Sequence, residues 1–261
     1  MDVSTRDALV EGRGAADDHR HDALVWSLAV PEVGFSVSPP VILPGMGYIR
    51  HFADMAMKGD AETAVAHVEK LHAAGFTAET LCMDLLGPVA RRLGAWWEED
   101  LCSFADVTLG CCNLQQALHA LSPRFVTASP VVGEGGRTIL LCPVPGEQHG
   151  IGLSVVANFL RRAGWDCACD AFRSGAALAG AVRRRRVGMV GLSASCERHL
   201  TPLTQAIAAV RRSGGDRPVQ VLVGGALFVD HPEWAMDVGA DAMAVDGRDA
   251  VIQAETLLAV H

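Results

Sequence analysis

The chain is expected to fold as a two-part α+β protein, an N-terminal four-helix bundle followed by an α/β domain built on a five-stranded parallel sheet. Three observations lead there. From Met46 to about Leu121 the apolar residues recur at helical spacing. From Thr138 onward short Val/Ile/Leu-rich runs alternate with helical runs, which is how βαβ units read in sequence. Between the two halves lies Val126 to Gly136, rich in small residues and without periodicity, a loop by composition.

Taken in order, residues 1–45 are rich in Gly, Asp, His and Pro, with one short apolar patch at Ala23–Val30. The run Ser38-Pro39-Pro40 to Pro44-Gly45 punctuates like a linker, so this segment is expected to be a flexible tail that docks through Trp26 and Phe35. The bundle is expected over 46–125. Asp60-Ala61-Glu62 supplies a helix start with an acidic cap, Val65, Val68, Leu71 and His72 share a stripe, and Gly75 ends the helix. Thr77-Ala78-Glu79-Thr80 starts the next, which carries Leu81, Leu85, Leu86, Val89 and Leu93 inward and which Pro88 should kink. Ser103 opens a further helix with Phe104, Val107, Leu114 and Leu118 at helical spacing. Short turns between such helices make a bundle.

The second half, 137–261, places strands at Thr138–Cys142, Asp166–Asp170, Val187–Leu192, Val219–Val223 and Ala242–Val245. Helical runs fall at Leu153–Ala163, Gly175–Arg185, Leu200–Ser213 and Asp249–Val260. That order gives a flavodoxin-like (Rossmann-type) domain, a parallel sheet covered on both faces.

Composition narrows the function classes. A chain of 261 residues, 50% hydrophobic with 27 glycines, is long enough to bury a sizeable core. A formal charge of −8 argues against a surface that coats nucleic acid, so no direct nucleic-acid binding is expected of the chain alone. Nothing approaches the roughly 20 unbroken apolar residues of a membrane span, and Met1 to Asp22 is polar and mixed in charge, unlike a secretory signal. Of the eight cysteines, Cys142, Cys167 and Cys169 fall inside strand-like runs and Cys111-Cys112 are adjacent on a helix. That is no disulfide framework, and a reduced, cytoplasmic setting is expected.

Chemistry concentrates at the carboxyl ends of the strands, where open α/β sheets bind ligands. Glu147-x-His149-x-x-Gly152 follows the first strand, Ser193-Ala194-Ser195 the third and Gly224-Gly225 the fourth. His149 can give a neutral imidazole nitrogen to a transition metal while Glu147 orients or polarises the ring. Gly152 would let the following helix approach closely. Ser193 offers a hydroxyl, and Gly224 and Gly225 clear side chains from the path of a flat heterocycle.

This triple resembles the Asp-x-His-x-x-Gly, Ser-x-Leu and Gly-Gly pattern of cobalamin-binding domains, with Glu147 in place of Asp and Ser195 in place of Leu. The resemblance implies a cobalamin cofactor in hydroxo/aquo or adenosyl form, with His149 as lower ligand of cobalt. The run Leu93-Gly94-Ala95-Trp96-Trp97-Glu98-Glu99-Asp100, followed by Phe104-Ala105-Asp106-Val107, resembles the helical cap of such proteins. It implies that Trp97, or failing that Trp96, covers the upper face of the corrin, with Glu98 beside it.

The Trp-Glu-x-Asp…Ser-Phe-x-Asp-Val run, the tail and the length most resemble the AerR/PpaA class of cobalamin-binding antirepressors. That implies a light-responsive, non-enzymatic regulator of photosynthesis genes whose partner is a CrtJ/PpsR-type transcription repressor. Residues 1–45 are too short for a winged helix-turn-helix, and the bundle lacks the histidines of light-sensing transcription factors with the same cap. Two alternatives share the architecture: a corrinoid methyl carrier of a methyltransferase system and a haem-binding sensor.

Other residues invite plainer readings. Arg183 to Arg186 close a helix, where cations suit the negative end of the dipole. Cys167 and Cys169 share one strand face and are expected to pack, and Cys111-Cys112 point apart. Cys102 lies near the expected corrin. His199 is expected at the surface, His51, His67 and His72 as ordinary helix residues, and nothing positions His19 or His21.

Overall fold

The computed structural model describes residues 45–125, 137–214 and 218–259. The expected tail apart from Gly45, with Trp26, Phe35, His19 and His21, lies outside the described residues, as does the loop 126–136.

Four helical segments form the first half. They are α1 (Met46–Lys58), α2 (Ala61–Ala73), a composite of α3 (Ala78–Thr80), a π-helical turn (Leu81–Leu86) and α4 (Gly87–Glu98), and α5 (Phe104–Leu121). The caps follow the chemistry of the sequence. Asp60 accepts from the Thr63 N–H at 2.8 Å, Thr77 accepts from the Thr80 N–H at 3.0 Å, and Ser103 and Asp106 cap each other reciprocally.

Pro88 acts differently from a simple kink. The Gly87 N–H bonds back to the Cys82 carbonyl, five residues earlier, and the proline then sits in the first turn of α4, where a missing N–H costs little. Leu81, Leu85, Leu86, Val89 and Leu93 all remain buried across this change of pitch. His72 leaves the expected stripe and pairs through Nδ1 with the Phe76 carbonyl at 2.8 Å, and Phe104 faces solvent rather than the core. Buried Asn113 ties α5 to the end of α1 by donating to the Ala56 and Gly59 carbonyls at 2.9 and 3.1 Å.

The second half is a parallel sheet in the order β2-β1-β3-β4-β5. Its strands are β1 (Thr138–Pro143), β2 (Asp166–Cys169), β3 (Met189–Ser193), β4 (Gln220–Gly224) and β5 (Ala242–Ala244). Helices α6 (Ile151–Arg162) and α11 (Gly247–Ala259) bury one face, and α7 (Gly175–Arg185) and α8 (Leu200–Ser213) the other. Two short helices that the sequence pattern did not reveal, α9 (Ala226–Asp230) and α10 (Trp234–Asp237), fill the β4–β5 connection. Each is too short to show a helical period.

The halves meet along α6. Ile151, Val155 and Phe159 of this helix join the bundle core, and the Phe159 ring lies edge-on to Phe125 at 5.3 Å. Gln115 donates to Ser154 Oγ and Asn158 to Ser122 Oγ, both at 2.9 Å. Glu79 receives Arg162 at 2.6 Å and Arg248 at 2.5 Å, so one carboxylate of the bundle holds two helices of the sheet domain. Gly247 has no room for a side chain, since a Cβ there would stand 2.6 Å from the Phe159 ring.

Phe159 is thus the apolar pin of the seam. Phe159→Ala is expected to cost about 3–5 kcal/mol, the usual loss for a buried aromatic. At this chain length that lowers the melting temperature by roughly 10 °C, readable by circular dichroism. A shift under about 2 °C would show that the seam is held elsewhere.

Candidate functional site

The strand order puts the chain's reversal between β1 and β3, the crevice where doubly wound sheets bind ligands. Register then aligns the three motifs. Pro143 pairs with Ser193, and Ser193 with Gly224, so the ends of β1, β3 and β4 stand side by side. Val144 N–H to Ser193 O and Ala194 N–H to Gly224 O, each 3.0 Å, carry the ladder past the strands. After β1 the chain turns at Gly146, whose φ of +95° is easy only for glycine, and the Glu147 N–H closes the turn on the Val144 carbonyl at 2.8 Å.

Glu147 is the centre of the arrangement. Its Oε1 accepts from the Gln148 N–H at 2.7 Å, from the His149 N–H at 2.9 Å and from His149 Nδ1 at 2.5 Å. Its Oε2 accepts from the Ser195 N–H at 2.8 Å. The carboxylate side chain is 1% exposed and the imidazole 73%. Burial works against the Glu147 charge, yet the His149 ring and the Ser195 and His149 N–H groups outweigh it and hold the carboxyl well below the usual range. The same bond to Glu147 raises His149 above its ordinary value, against the opposing effect of partial burial. An imidazole whose Nδ1 is spoken for has one nitrogen left, Nε2, and that tautomer is the one suited to ligate a metal.

His199 overturns its expected surface position. It is buried, with Nδ1 3.2 Å from Glu147 Oε2 and 3.4 Å from Cys196 Sγ, so two imidazoles flank one carboxylate. The 3-10 turn Glu197–His199 ahead of α8 swings the ring under the β3 end, a placement that residue spacing alone does not reveal.

The glycines divide. Gly225 has a φ of +102°, and a Cβ would lie 2.3 Å from the Ala194 carbonyl oxygen and 2.9 Å from Ser193 Oγ. Gly224 would meet the Ala244 carbonyl at 3.0 Å. The fold itself therefore demands Gly225, whereas a side chain at Gly224 would need the Ala244 backbone to give by a few tenths of an ångström. Gly152 corrects the expected role: nothing lies within 4 Å of where its Cβ would be, so it permits no close helix approach within the chain and instead leaves open space next to His149 on α6.

The paired tryptophans also separate. Trp96 is buried in the bundle core, with the Arg50 guanidinium 6.0 Å from its ring centre, and so is not available as a wall. Trp97 is 48% exposed at the end of α4, edge-on to Phe104 at 6.5 Å, with Glu98 exposed next to it.

Comparison with known proteins agrees with this geometry. Residues 137–255 match the B12 binding domain family model, and residues 48–122 match a second model described as a B12 binding domain. An uncharacterised 20.5 kDa protein from the bchF-crtJ intergenic region of Rhodobacter capsulatus is 41% identical over 96 residues, 37% of this chain and 50% of that protein. The chain thus spans about half of that relative's length. Dimethylamine corrinoid protein 1 of Methanosarcina acetivorans is 32% identical over 154 residues, 56% of this chain and 71% of that one. Among solved structures, the monomethylamine corrinoid protein of Methanosarcina barkeri has the same fold, with a TM-score of 0.64 at 17% identity over 81% of this chain and 97% of its own.

The Glu147–His149 pair makes a direct titration prediction. In the wild-type protein the His149 ring is expected to protonate above the ordinary 6.5, so its free nitrogen stops being a lone-pair donor as pH falls through that midpoint. Glu147→Gln removes the cause, and the midpoint should fall to 6.5 or below when followed by the ring proton signals in NMR. An unchanged midpoint would contradict the assigned hydrogen bond.

Proposed function

The chain belongs to the B12-binding corrinoid proteins and binds cobalamin, and we propose that it uses the cofactor as a light signal, acting as an antirepressor on a CrtJ/PpsR-type transcription repressor rather than as an enzyme. The cofactor part of this reading is carried by the exposed His149 imidazole, fixed through Nδ1 by a buried carboxylate, and the regulatory part by the relative from the bchF-crtJ intergenic region. A single oriented nitrogen of this kind would hold a transition metal brought in by a cofactor.

The residues present fit the cofactor. His149 Nε2 would take the cobalt, the open space at Gly152 admits a bulky neighbour, and the aligned ends at Ser193, Gly224 and Gly225 form an edge along which the tail would lie, with Ser193 as hydroxyl partner. The Ser195 N–H is already committed to Glu147. Trp97 is the candidate upper wall, and Glu98 stands at its rim. Bound cobalamin would supply a light-sensitive bond at cobalt.

The rest is the chain's own work. Glu147 keeps His149 in one tautomer. His149 stands two residues ahead of Ile151, which packs on the bundle, so a displacement at the ring reaches α6 and the seam through Val155 and Phe159. A change in what the bundle must pack against biases its position, and the bundle surface is the proposed repressor contact. The relative from the bchF-crtJ intergenic region supports a link to the crtJ product. Among the described residues no helix is long and apolar enough to cross a membrane.

A second reading, a methyl-carrying corrinoid protein serving a methyltransferase, is favoured by the match to dimethylamine corrinoid protein 1 over most of that protein. One experiment separates the two. Protein loaded with adenosylcobalamin in the dark is split, half is illuminated, and both are used to capture the purified repressor while absorption spectra are recorded. The regulator reading expects a spectral change on illumination, repressor capture that differs at least fivefold between halves, and loss of the difference in His149→Ala. Equal capture in both states, together with methyl transfer to the reduced cofactor, would replace it with the carrier reading.

A further inference from the structure

A second chemically active cluster sits where β2 ends, on the same carboxyl edge of the parallel sheet as the ends of β1 and β3. Cys167 and Cys169 alternate onto the same face of this edge strand, the face covered by α6. Cys167 is buried and Cys169 is exposed. Arg161 on α6 reaches over both. Its Nε and Nη2 donate to the Cys167 carbonyl at 3.3 and 2.9 Å, which fixes the guanidinium plane, and Nη2 lies 3.8 Å from Cys169 Sγ.

The sulfur does not simply face bulk water. It lines a cleft of about 160 Å³ between α5 and α6, together with Arg161, His119, Gln115, Ser154 and Asn158. Leu118 and Ala157 also line it, so the cleft offers several hydrogen-bonding groups on a surface of mixed polarity.

We propose that Cys169 is a thiol-modification site that takes a low-molecular-weight, carboxylate-bearing disulfide to form a mixed disulfide. The Cys169 thiolate attacks one sulfur of the disulfide; the new S–S bond forms as the old one breaks. The second sulfur leaves as a thiolate and takes a proton from solvent. Cys169 is oxidised to the mixed-disulfide level and the departing half is reduced, so no further oxidant is consumed. Arg161 stabilises the attacking anion and offers a charge to an incoming carboxylate.

The electrostatics agree with this geometry. The neighbouring Cys167 thiol and then Arg161 draw the Cys169 thiol down to about 6 despite burial, while Cys167 itself is pushed up. The adduct would occupy the α5–α6 seam, where Gln115–Ser154 and Asn158–Ser122 join bundle to sheet.

The test needs no cobalamin and is blind to the regulator question. Full-length protein is treated with oxidised glutathione between pH 5 and 9, and each cysteine's adduct is followed by peptide mass spectrometry. Cys112, exposed on α5, is the internal control. At pH 6 a thiol of such low pKa is more than about a hundredfold more ionised than an ordinary one, and its weaker nucleophilicity takes back roughly tenfold, leaving about a tenfold faster reaction.

Cys169 is therefore expected to react about tenfold faster than Cys112 at pH 6, with a rate midpoint near 6. Arg161→Lys should keep most of this advantage and Arg161→Met should lose part of it, because Cys167 contributes more than Arg161 to lowering Cys169. Equal rates for Cys169 and Cys112, or a Cys169 midpoint in the ordinary thiol range, would overturn the proposal whether or not the Arg161 variants fold.

Discussion

A buried carboxylate is costly to leave in the interior unless its oxygens are filled, and nearly everything at this sheet edge follows from how Glu147 is filled. Three donors on Oε1 and one on Oε2 come from two different strand ends, so the bond network exists only when β1 and β3 are in register. The network in turn decides which nitrogen of His149 is free. A ring on an exposed loop would otherwise sample both tautomers and many rotamers. Here the same four hydrogen bonds fill a buried carboxylate and orient the imidazole that we propose as the cobalt ligand.

The second constraint is mechanical. His149 lies just ahead of a helix that belongs to two cores at once: its Val155 and Phe159 pack with the bundle, while Ala157 and Leu160 pack with the sheet. Glu79 adds a polar tie from the bundle to α6 and α11, and it stays ionised because Arg248 and Arg162 offset its partial burial. A helix so shared cannot shift at its start without loading the seam. That coupling is what a cofactor-driven switch requires of its scaffold.

Much of this was legible in the sequence. The alternation after Thr138 gives all five strands within a residue or two, and α7 and α8 to the residue, because buried parallel strands and amphipathic helices have distinct periods. The motif Glu147-x-His149-x-x-Gly152 locates the edge, and the B12 binding domain matches agree with its family resemblance. What escaped lies where period gives no signal. The π turn at Leu81–Leu86 preserves the apolar positions, so a sequence cannot distinguish it from a kinked α-helix. His199 looked like a surface residue because a polar type in a loop usually is, and only the fold shows it brought against Glu147. The preference for Trp97 over Trp96 as an exposed wall agrees with their burial, Trp96 lying in the bundle core and Trp97 about half exposed. At Gly225 the positive φ and the crossing Ala194 backbone add a demand of the fold itself that a Gly-Gly pair in a sequence does not reveal.

The central claim is that His149, held by Glu147, is the protein ligand of the cobalt. Its most direct test is electron paramagnetic resonance of the protein grown with ¹⁵N-histidine and loaded with cobalamin in the paramagnetic cobalt(II) state. A spin-half nitrogen from the protein splits each cobalt line into two, and the cofactor's own ¹⁴N base splits it into three. Doublets that vanish in His149→Ala are expected; triplets in the wild-type protein would show that the imidazole does not hold the metal.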